Sequence, residues 1–285
     1  MISIVIPSYN EEKGIKRTLT EVKKVMSDSG IDHEIIVVDD GSTDKTAEIV
    51  KNEKMIRLIQ HPYNKGYGSA LKTGTKNAKG DWVIYIDADV QHDPEDILKL
   101  IEHTKDYDMV VGARTKKSKI SLLRRLGKIF LGSIANYLSG MKIPDLNSGF
   151  RAIRRDIVME FMRILPDSFS FTTTITLTCV KSGYSIKYIP IETTEGVGTS
   201  KIRPFRDGFN FILMILRTIT LFDPLKVFLP ISIILFIIGS LYGLYYGIYE
   251  FNIPDGAILL IISSILIFFF GLLADQISSL RREIR

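Results

Sequence analysis

Residues 85–96 read YIDADVQHDPED, and six of these twelve are Asp, Glu or His, following directly on an apolar run. In an extended chain, carboxylates two residues apart lie on one side. Asp87 and Asp89 would then repel each other and raise one another's pKa unless a cation compensates. A hard divalent ion such as Mg2+ or Mn2+ takes oxygen ligands and bridges readily to phosphates, and Gln91, two residues further on, adds a carbonyl oxygen. Asp87, Asp89 and Gln91 are therefore the candidate metal ligands. His92 is expected to face the other way, into solvent. A second acidic stretch, VVDDGSTD (37–44), ends another apolar run, and there Asp39 is placed to accept a base N–H of a nucleotide. In the loop NKGYG (64–68), Gly66 and Gly68 let backbone approach a ligand closely. This loop is not a dinucleotide fingerprint, which would follow the first strand; that strand runs instead into PSYNEE (7–12).

Short apolar runs must position these groups. ISIVI (2–6), EIIVVDD (34–40), IRLIQH (56–61), DWVIYIDAD (81–89) and YDMVVGAR (107–114) are predicted strands. Helical segments alternate with them over 11–29, 45–52, a stretch ending at Gly80, and PEDILKLIEHTK (94–105), which Pro94 opens. Strands apolar along nearly their whole length, alternating with helices, predict an α/β fold with a mainly parallel sheet. Ligands of such sheets bind at the carboxyl ends of the strands. Ser8–Glu11, Asp39–Asp44, Asp87–Gln91 and Arg114 all fall there.

The 285 residues are 46% hydrophobic and 24% charged, with a formal charge of +5, and no aromatic and basic stripe suggests nucleic acid. A single cysteine, Cys179, excludes an internal disulfide framework and reads as a small core residue. The N-terminus lacks the basic region of a signal peptide. The C-terminal end differs in character. Val227–Tyr249 and Ala257–Ala274 carry no charge, and each is about long enough to cross a ~30 Å hydrocarbon layer. Their link, EFNIPDG, holds two acids, whereas Lys201, Arg203, Arg206, Arg217 and Lys226 precede the pair and Arg281, Arg282 and Arg285 follow it. The positive-inside rule predicts a transmembrane hairpin with both ends cytoplasmic. SLLRRLGKIFLGSIANYLSG (121–140) and FRDGFNFILMILRTITLF (205–222) mix apolar and basic residues at helical spacing and read as interfacial helices. The expected layout is a cytoplasmic catalytic domain over 1–204, an interfacial amphipathic helix over 205–226 and a membrane domain over 227–285.

IPSYNEE, VVDDGSTD, NKGYGSALKTG, YIDADVQHDPED, DMVVGAR and DLNSGFRAIRR, in this order and spacing, resemble the inverting family-2 glycosyltransferases of the GT-A fold. Within that family they resemble the polyprenyl-phosphate sugar transferases, the dolichol-phosphate mannose synthase group. The resemblance runs from residue 2 to about residue 210, and the C-terminal hairpin fits the membrane-anchored branch. It implies a Rossmann-like nucleotide-diphospho-sugar domain with Pro7, Tyr9, Glu11, Asp39 and Gly66 around the nucleotide. It implies Asp87, Asp89 and Gln91 on Mg2+ or Mn2+ and the diphosphate, and Arg114 at the acceptor phosphate. Ser148, Gly149 and Arg151 would shape the donor-sugar side, and Gly198, Ser200 and Lys201 would form a loop before the membrane.

Two departures stand out. TTEGVG has Glu195 where the mannose synthases carry an Arg before the G-x-S-K motif. Lys128 and Gly132 stand where the family has a phosphate-binding Arg and a Ser. Arg114, Lys128, Ser200, Lys201 and Arg203 are the residues to share the acceptor phosphate. The implied activity is transfer of one hexosyl unit from GDP-mannose, UDP-glucose or UDP-GlcNAc to dolichyl or polyprenyl phosphate at the cytoplasmic face of the cell membrane. Two alternatives are a processive polysaccharide synthase and a non-catalytic, membrane-tethered nucleotide-sugar binding protein. The first lacks its Q-x-x-R-W motif here, since Trp82 is the only Trp and lies in a strand. Donor identity and oligomeric state, including a homo-oligomer, are open at this point.

Overall fold

The computed structural model describes residues 1–89, 91–114, 140, 143–192, 213 and 215–283. The chain divides into two compact units, and the described residues of the first are 1–89, 91–114 and 143–192. This unit is a seven-stranded sheet: β1 Ile2–Ser8, β2 His33–Asp39, β3 Ile56–Gln60, β4 Trp82–Tyr85, β5 Met109–Arg114, β6 Arg151–Arg154 and β7 Ile186–Ile191. Its order is β3-β2-β1-β4-β6-β5-β7. All neighbours are parallel except β6, which runs antiparallel to both β4 and β5. β1 and β2 are buried along almost their whole length because helices cover both faces, and two hydrophobic clusters result, one built around Ile4, Ile6 and Val37, the other around Val5, Ile36 and Val38.

The helices of this unit are α1 Ile15–Ser29, α2 Thr46–Lys51, α3 Tyr67–Asn77, α4 Asp96–Glu102, α5 Arg155–Phe161 and α6 Phe171–Lys181. In α1 the buried residues Ile15, Thr18, Leu19, Val22 and Met26 recur at helical spacing, and Gly30 ends the helix in the left-handed conformation at φ 66°. In α6 the nine residues Phe171–Cys179 are all buried, five of them threonines. The chain leaves β1 for β2 on one side and returns through β3 and α3 to β4 on the other. The strand order therefore reverses between β1 and β4, where open α/β sheets form their ligand crevice. The fourth strand is shorter than its apolar run suggests. It stops at Tyr85, and Ala88 and Asp89 lie in a turn that Thr18 of α1 anchors, its hydroxyl donating to the Ala88 carbonyl at 3.0 Å.

The described part of the second unit contains two long helices, α7 Leu225–Tyr249 and α8 Asp255–Glu283. At 1.5 Å per residue each exceeds about 37 Å, and both are long and apolar enough to cross a membrane. They pair as a hairpin. Gly239 of α7 lies against Ala257, Leu260 and Ile261 of α8, and Gly271 of α8 lies against Phe228. Ser232 and Ser264 satisfy their hydroxyls on carbonyls three residues back, at 2.8 and 2.7 Å. Residues 215–220 are helical, but the chain turns at 221–222 before α7 begins. A single helix through residue 226 is thus not what forms: Asp223, preceding Pro224, is disfavoured in a helix, and Leu225 and Lys226 belong to α7.

Candidate active site

Two loops at the ends of β1 and β2 are tied together. Asn10, at φ 57°, donates its N–H to Ser42 Oγ at 2.9 Å and accepts the Thr43 N–H on its Oδ1 at 2.8 Å. The N–H of Glu11 meets Thr46 Oγ1 at 2.8 Å, and that of Glu12 meets Asp44 Oδ2 at 3.1 Å. This fixes the backbone of Glu11 and leaves Tyr9 exposed. Pro7 is packed within β1. Asp39 is buried, and its two hydrogen bonds, from the Ser42 N–H at 3.4 Å and Gln60 Nε2 at 3.5 Å, are both long, so its carboxylate retains acceptor capacity. Gly66 has φ 105°, and any side chain there would run into the Asp167 carbonyl, so the 64–68 loop packs directly on backbone.

At the end of β4, Asp87 is part-open and accepts the Tyr67 hydroxyl on Oδ1 at 2.9 Å. A Cβ added to Gly149 would sit 2.8 Å from its Oδ2, so this loop must be glycine to lie against the carboxylate. Asp89 Oδ1 accepts the Gln91 N–H at 3.3 Å. The turn brings the acids together, where the sequence reasoning relied on an extended pleat. It also corrects the position of His92. The ring is buried rather than solvated, stacks on Phe150 with centroids 5.0 Å apart, and holds Nε2 4.0 Å from Asp87 Oδ2. That gap is too long for a hydrogen bond. Among the described residues, His92 Nδ1 is buried without a hydrogen-bond partner.

The electrostatics follow from this geometry. Burial raises the pKa of Asp87, opposed by the Tyr67 hydrogen bond and by Arg114 and Arg151. Burial also raises Asp89, and the Asp87 charge adds to it. Glu11 is raised by burial and then by Asp89, Asp44 and Asp87. Three acids from two strand ends thus feel one another and are costly to ionise together. Burial lowers the pKa of His92, so the ring is not a ready counter-charge.

Arg114, at the end of β5, is half-exposed and gripped by Asp145, with Nε to Oδ2 at 2.7 Å and Nη2 to Oδ1 at 3.0 Å. Burial works against ionisation of Asp145, but the hydrogen bonds and charge of Arg114 outweigh it and its pKa is lowered. Two of the five guanidinium N–H groups are used in this pair, and the rest can donate elsewhere. Asp145 was not singled out from the sequence, although the D of DLNSGF is its only trace. Arg151 is fully buried. Its guanidinium donates to the carbonyls of Ser148 and of Thr172 (3.0 Å) and to Thr176 Oγ1 (2.8 Å). Instead of presenting its charge to a sugar, it holds the buried Ser148 and the 148–150 loop that carries Gly149 against Asp87. Lys128, Gly132, Glu195, Gly198, Ser200, Lys201 and Arg203 lie outside the described residues.

Comparison with known proteins agrees with this layout. Residues 3–162 match the model of Glycosyl transferase family 2, and residues 223–280 match the GtrB C-terminal hairpin. The chain is 35% identical to uncharacterized protein MJ1222 of Methanocaldococcus jannaschii, over 74% of this chain and 91% of that one. It is 32% identical to the undecaprenyl-phosphate 4-deoxy-4-formamido-L-arabinose transferase of Pectobacterium atrosepticum, over 85% of this chain and 74% of the relative. It is 34% identical to the dolichol-phosphate mannosyltransferase of Pyrococcus furiosus over 71% of this chain, but spans only 59% of that relative's length. Among solved structures, glucosyl-3-phosphoglycerate synthase from Mycobacterium tuberculosis with Mn2+ and UDP-glucose superposes with a TM-score of 0.61 at 20% identity, covering 76% of this chain and 78% of that one. That likeness confirms the GT-A type of α/β sheet. A match that opens in β1, closes after α5 and takes in both carboxylate-bearing strand ends makes the chain a member of glycosyl transferase family 2.

Proposed function

We propose that this chain is an inverting transferase that moves one hexosyl unit from a nucleotide sugar to a polyprenyl or dolichyl phosphate at the cytoplasmic face of a membrane. The observation that carries the reading is the group of mutually repelling, part-buried acids Glu11, Asp87 and Asp89 at the reversal point of the sheet. Such a group is costly to ionise unless a cation stands beside it. The names of two relatives support the acceptor class, undecaprenyl phosphate for one and dolichol phosphate for the other. Neighbours in fold were crystallised with UDP and Mn2+ or Mg2+.

The residues present fit a divalent ion. Asp87 Oδ2 accepts no hydrogen bond from the described residues, and Asp89 has one, from the Gln91 N–H. Among the described residues no three His, Cys, Asp or Glu side chains close on one ion, so Gln91 and phosphate oxygens would complete the set. When bound, the ion would neutralise the acids and the charge growing on the leaving diphosphate. The chain supplies the rest. Asp39 accepts from the base, and the Glu11 loop is held rigid for the nucleotide. Arg114, oriented by Asp145, would donate its remaining N–H groups to phosphate. The acceptor oxygen is already anionic, so no strong general base is required. In-line attack inverts the anomeric carbon, and Lys128, Ser200, Lys201 and Arg203 are proposed to share the acceptor phosphate with Arg114. An acceptor of this kind stays in the bilayer, which gives the α7–α8 hairpin its purpose.

The test is direct. Purified protein with radiolabelled UDP- and GDP-sugars, polyprenyl phosphate and Mn2+ is expected to yield lipid-soluble label from one donor and to lose it with EDTA. Folded protein that transfers from none of them would refute the proposal.

A further inference from the structure

Among the described residues Asp87 accepts one hydrogen bond, and the proposed chemistry does not account for it: the Tyr67 hydroxyl on Oδ1 at 2.9 Å. Tyr67 is the first residue of α3, and its ring stacks on Phe169 with centroids 4.9 Å apart and planes within 16°. The loop that delivers it is fixed from below. Asp40 accepts the N–H of Lys65 on Oδ1 at 2.9 Å and that of Gly66 on Oδ2 at 2.8 Å. His61 Nδ1 stands 2.7 Å from Asp40 Oδ1, so that nitrogen carries a proton, and Nε2 meets Thr73 Oγ1 of α3 at 2.9 Å. Asp40 and His61 are both buried. One carboxylate therefore joins the ends of β2 and β3 to the first turn of α3, and that turn reaches across to β4. The other Asp87 oxygen, Oδ2, lies against Gly149 and faces His92 across the 4.0 Å gap.

We infer that Tyr67 is a positioning residue: its hydroxyl occupies Asp87 Oδ1 and leaves Oδ2 as the single oxygen presented to the cation, with the buried Asp40–His61 pair as its mount. The inference rests on the proposed metal and nucleotide role of Asp87 and goes beyond it by assigning which oxygen serves and what orients it. A carboxylate free to rotate would lose entropy on binding the ion and would sample geometries that exclude it. The hydroxyl removes that freedom before the ligand arrives.

Tyr67→Phe in the full-length protein isolates the hydroxyl, because the stacking on Phe169 is retained. Mn2+ binding is read by electron paramagnetic resonance with UDP and with GDP present, and transfer is measured against Mn2+ concentration. The expected result is Mn2+ binding weakened about tenfold or more, the scale of one hydrogen bond to a charged group. The Mn2+ midpoint for transfer should move by the same factor, while kcat at saturating Mn2+ and the melting temperature of the metal-free protein change little. Unchanged Mn2+ affinity would overturn the inference, and so would a fall in kcat and melting temperature without a shift in the metal midpoint. Failure of the unmutated protein to bind Mn2+ with either nucleotide would overturn the metal assignment itself, and the inference with it.

Discussion

At the end of β2, Asp40 accepts from Lys65, Gly66 and His61, and both of its oxygens have short partners. At the end of β4, Asp87 has one such partner among the described residues, and Asp89 has a 3.3 Å bond from its own turn. The two strands flank β1 in the same sheet, and each ends in a pair of acids, Asp39 and Asp40 side by side after one and Asp87 and Asp89 one residue apart after the other. Burial has raised the pKa of the second pair, which are acids the fold leaves incompletely satisfied. The difference separates a carboxylate used for construction from carboxylates held ready for a ligand, and residue type alone does not reveal it. Acids left costly to ionise at one place and hydrogen bonds completed at another is the pattern expected of a binding site in a stable scaffold.

The largest effect that would break this contrast is on turnover. Asp89→Ala should lower lipid-linked transfer on the order of 10²–10³-fold, the scale of losing one charge-stabilising group. A variant transferring at the unmutated rate without divalent ions would remove the distinction. Gly149→Ala should follow at about tenfold to a hundredfold in kcat, because the new methyl would displace the Asp87 carboxylate, 2.8 Å away. Asp40→Asn should act on stability instead. Its amide would face three donors with one acceptor, costing about 1–3 kcal/mol in thermal or denaturant unfolding.

The pH dependence sharpens the same contrast. Asp87, Asp89 and Glu11 have raised folded pKa values, so between the unfolded and folded values the folded state binds more protons. Stability of the metal-free protein should fall as pH rises through that window, which opens at the ordinary carboxylate values and extends upward from them. Mn2+ affinity should instead weaken as pH falls through it, because protons compete for the same oxygens. Paired calorimetric titrations and melts across pH check both signs. The smallest effect is the control: Arg17→Ala breaks the exposed pair with Glu21, at 2.7 Å, and should change unfolding by less than about 1 kcal/mol.

The first five strands and the edge they deliver were legible because each apolar run is continuous and each ends in a recognisable polar motif. Other features were not. β6 arises from FRAIRR, whose pattern is broken by Arg151, and only the fold shows that this arginine is capped by Ser148, Thr172 and Thr176. The helix α6 is built on FTTTITLTCVK, a β-branched run that favours strands, and tertiary burial overrides that preference. Strand alternation points His92 to solvent, but that alternation stops at Tyr85. The period of two has no force once the chain turns at Ala88. Nothing local in the sequence marks Asp145 and Tyr67, because their roles are set by partners 31 and 20 residues away.

The burial of α6 has a practical consequence. Cys179 is the chain's only thiol, fully enclosed and pushed by that burial to a pKa of about 12. Thiol reagents should therefore leave the native protein untouched and label it only when the sheet domain opens. Alkylation rate becomes a reporter of global unfolding that works inside detergent or lipid. A cysteine introduced anywhere on the surface can carry a probe without first removing the native one.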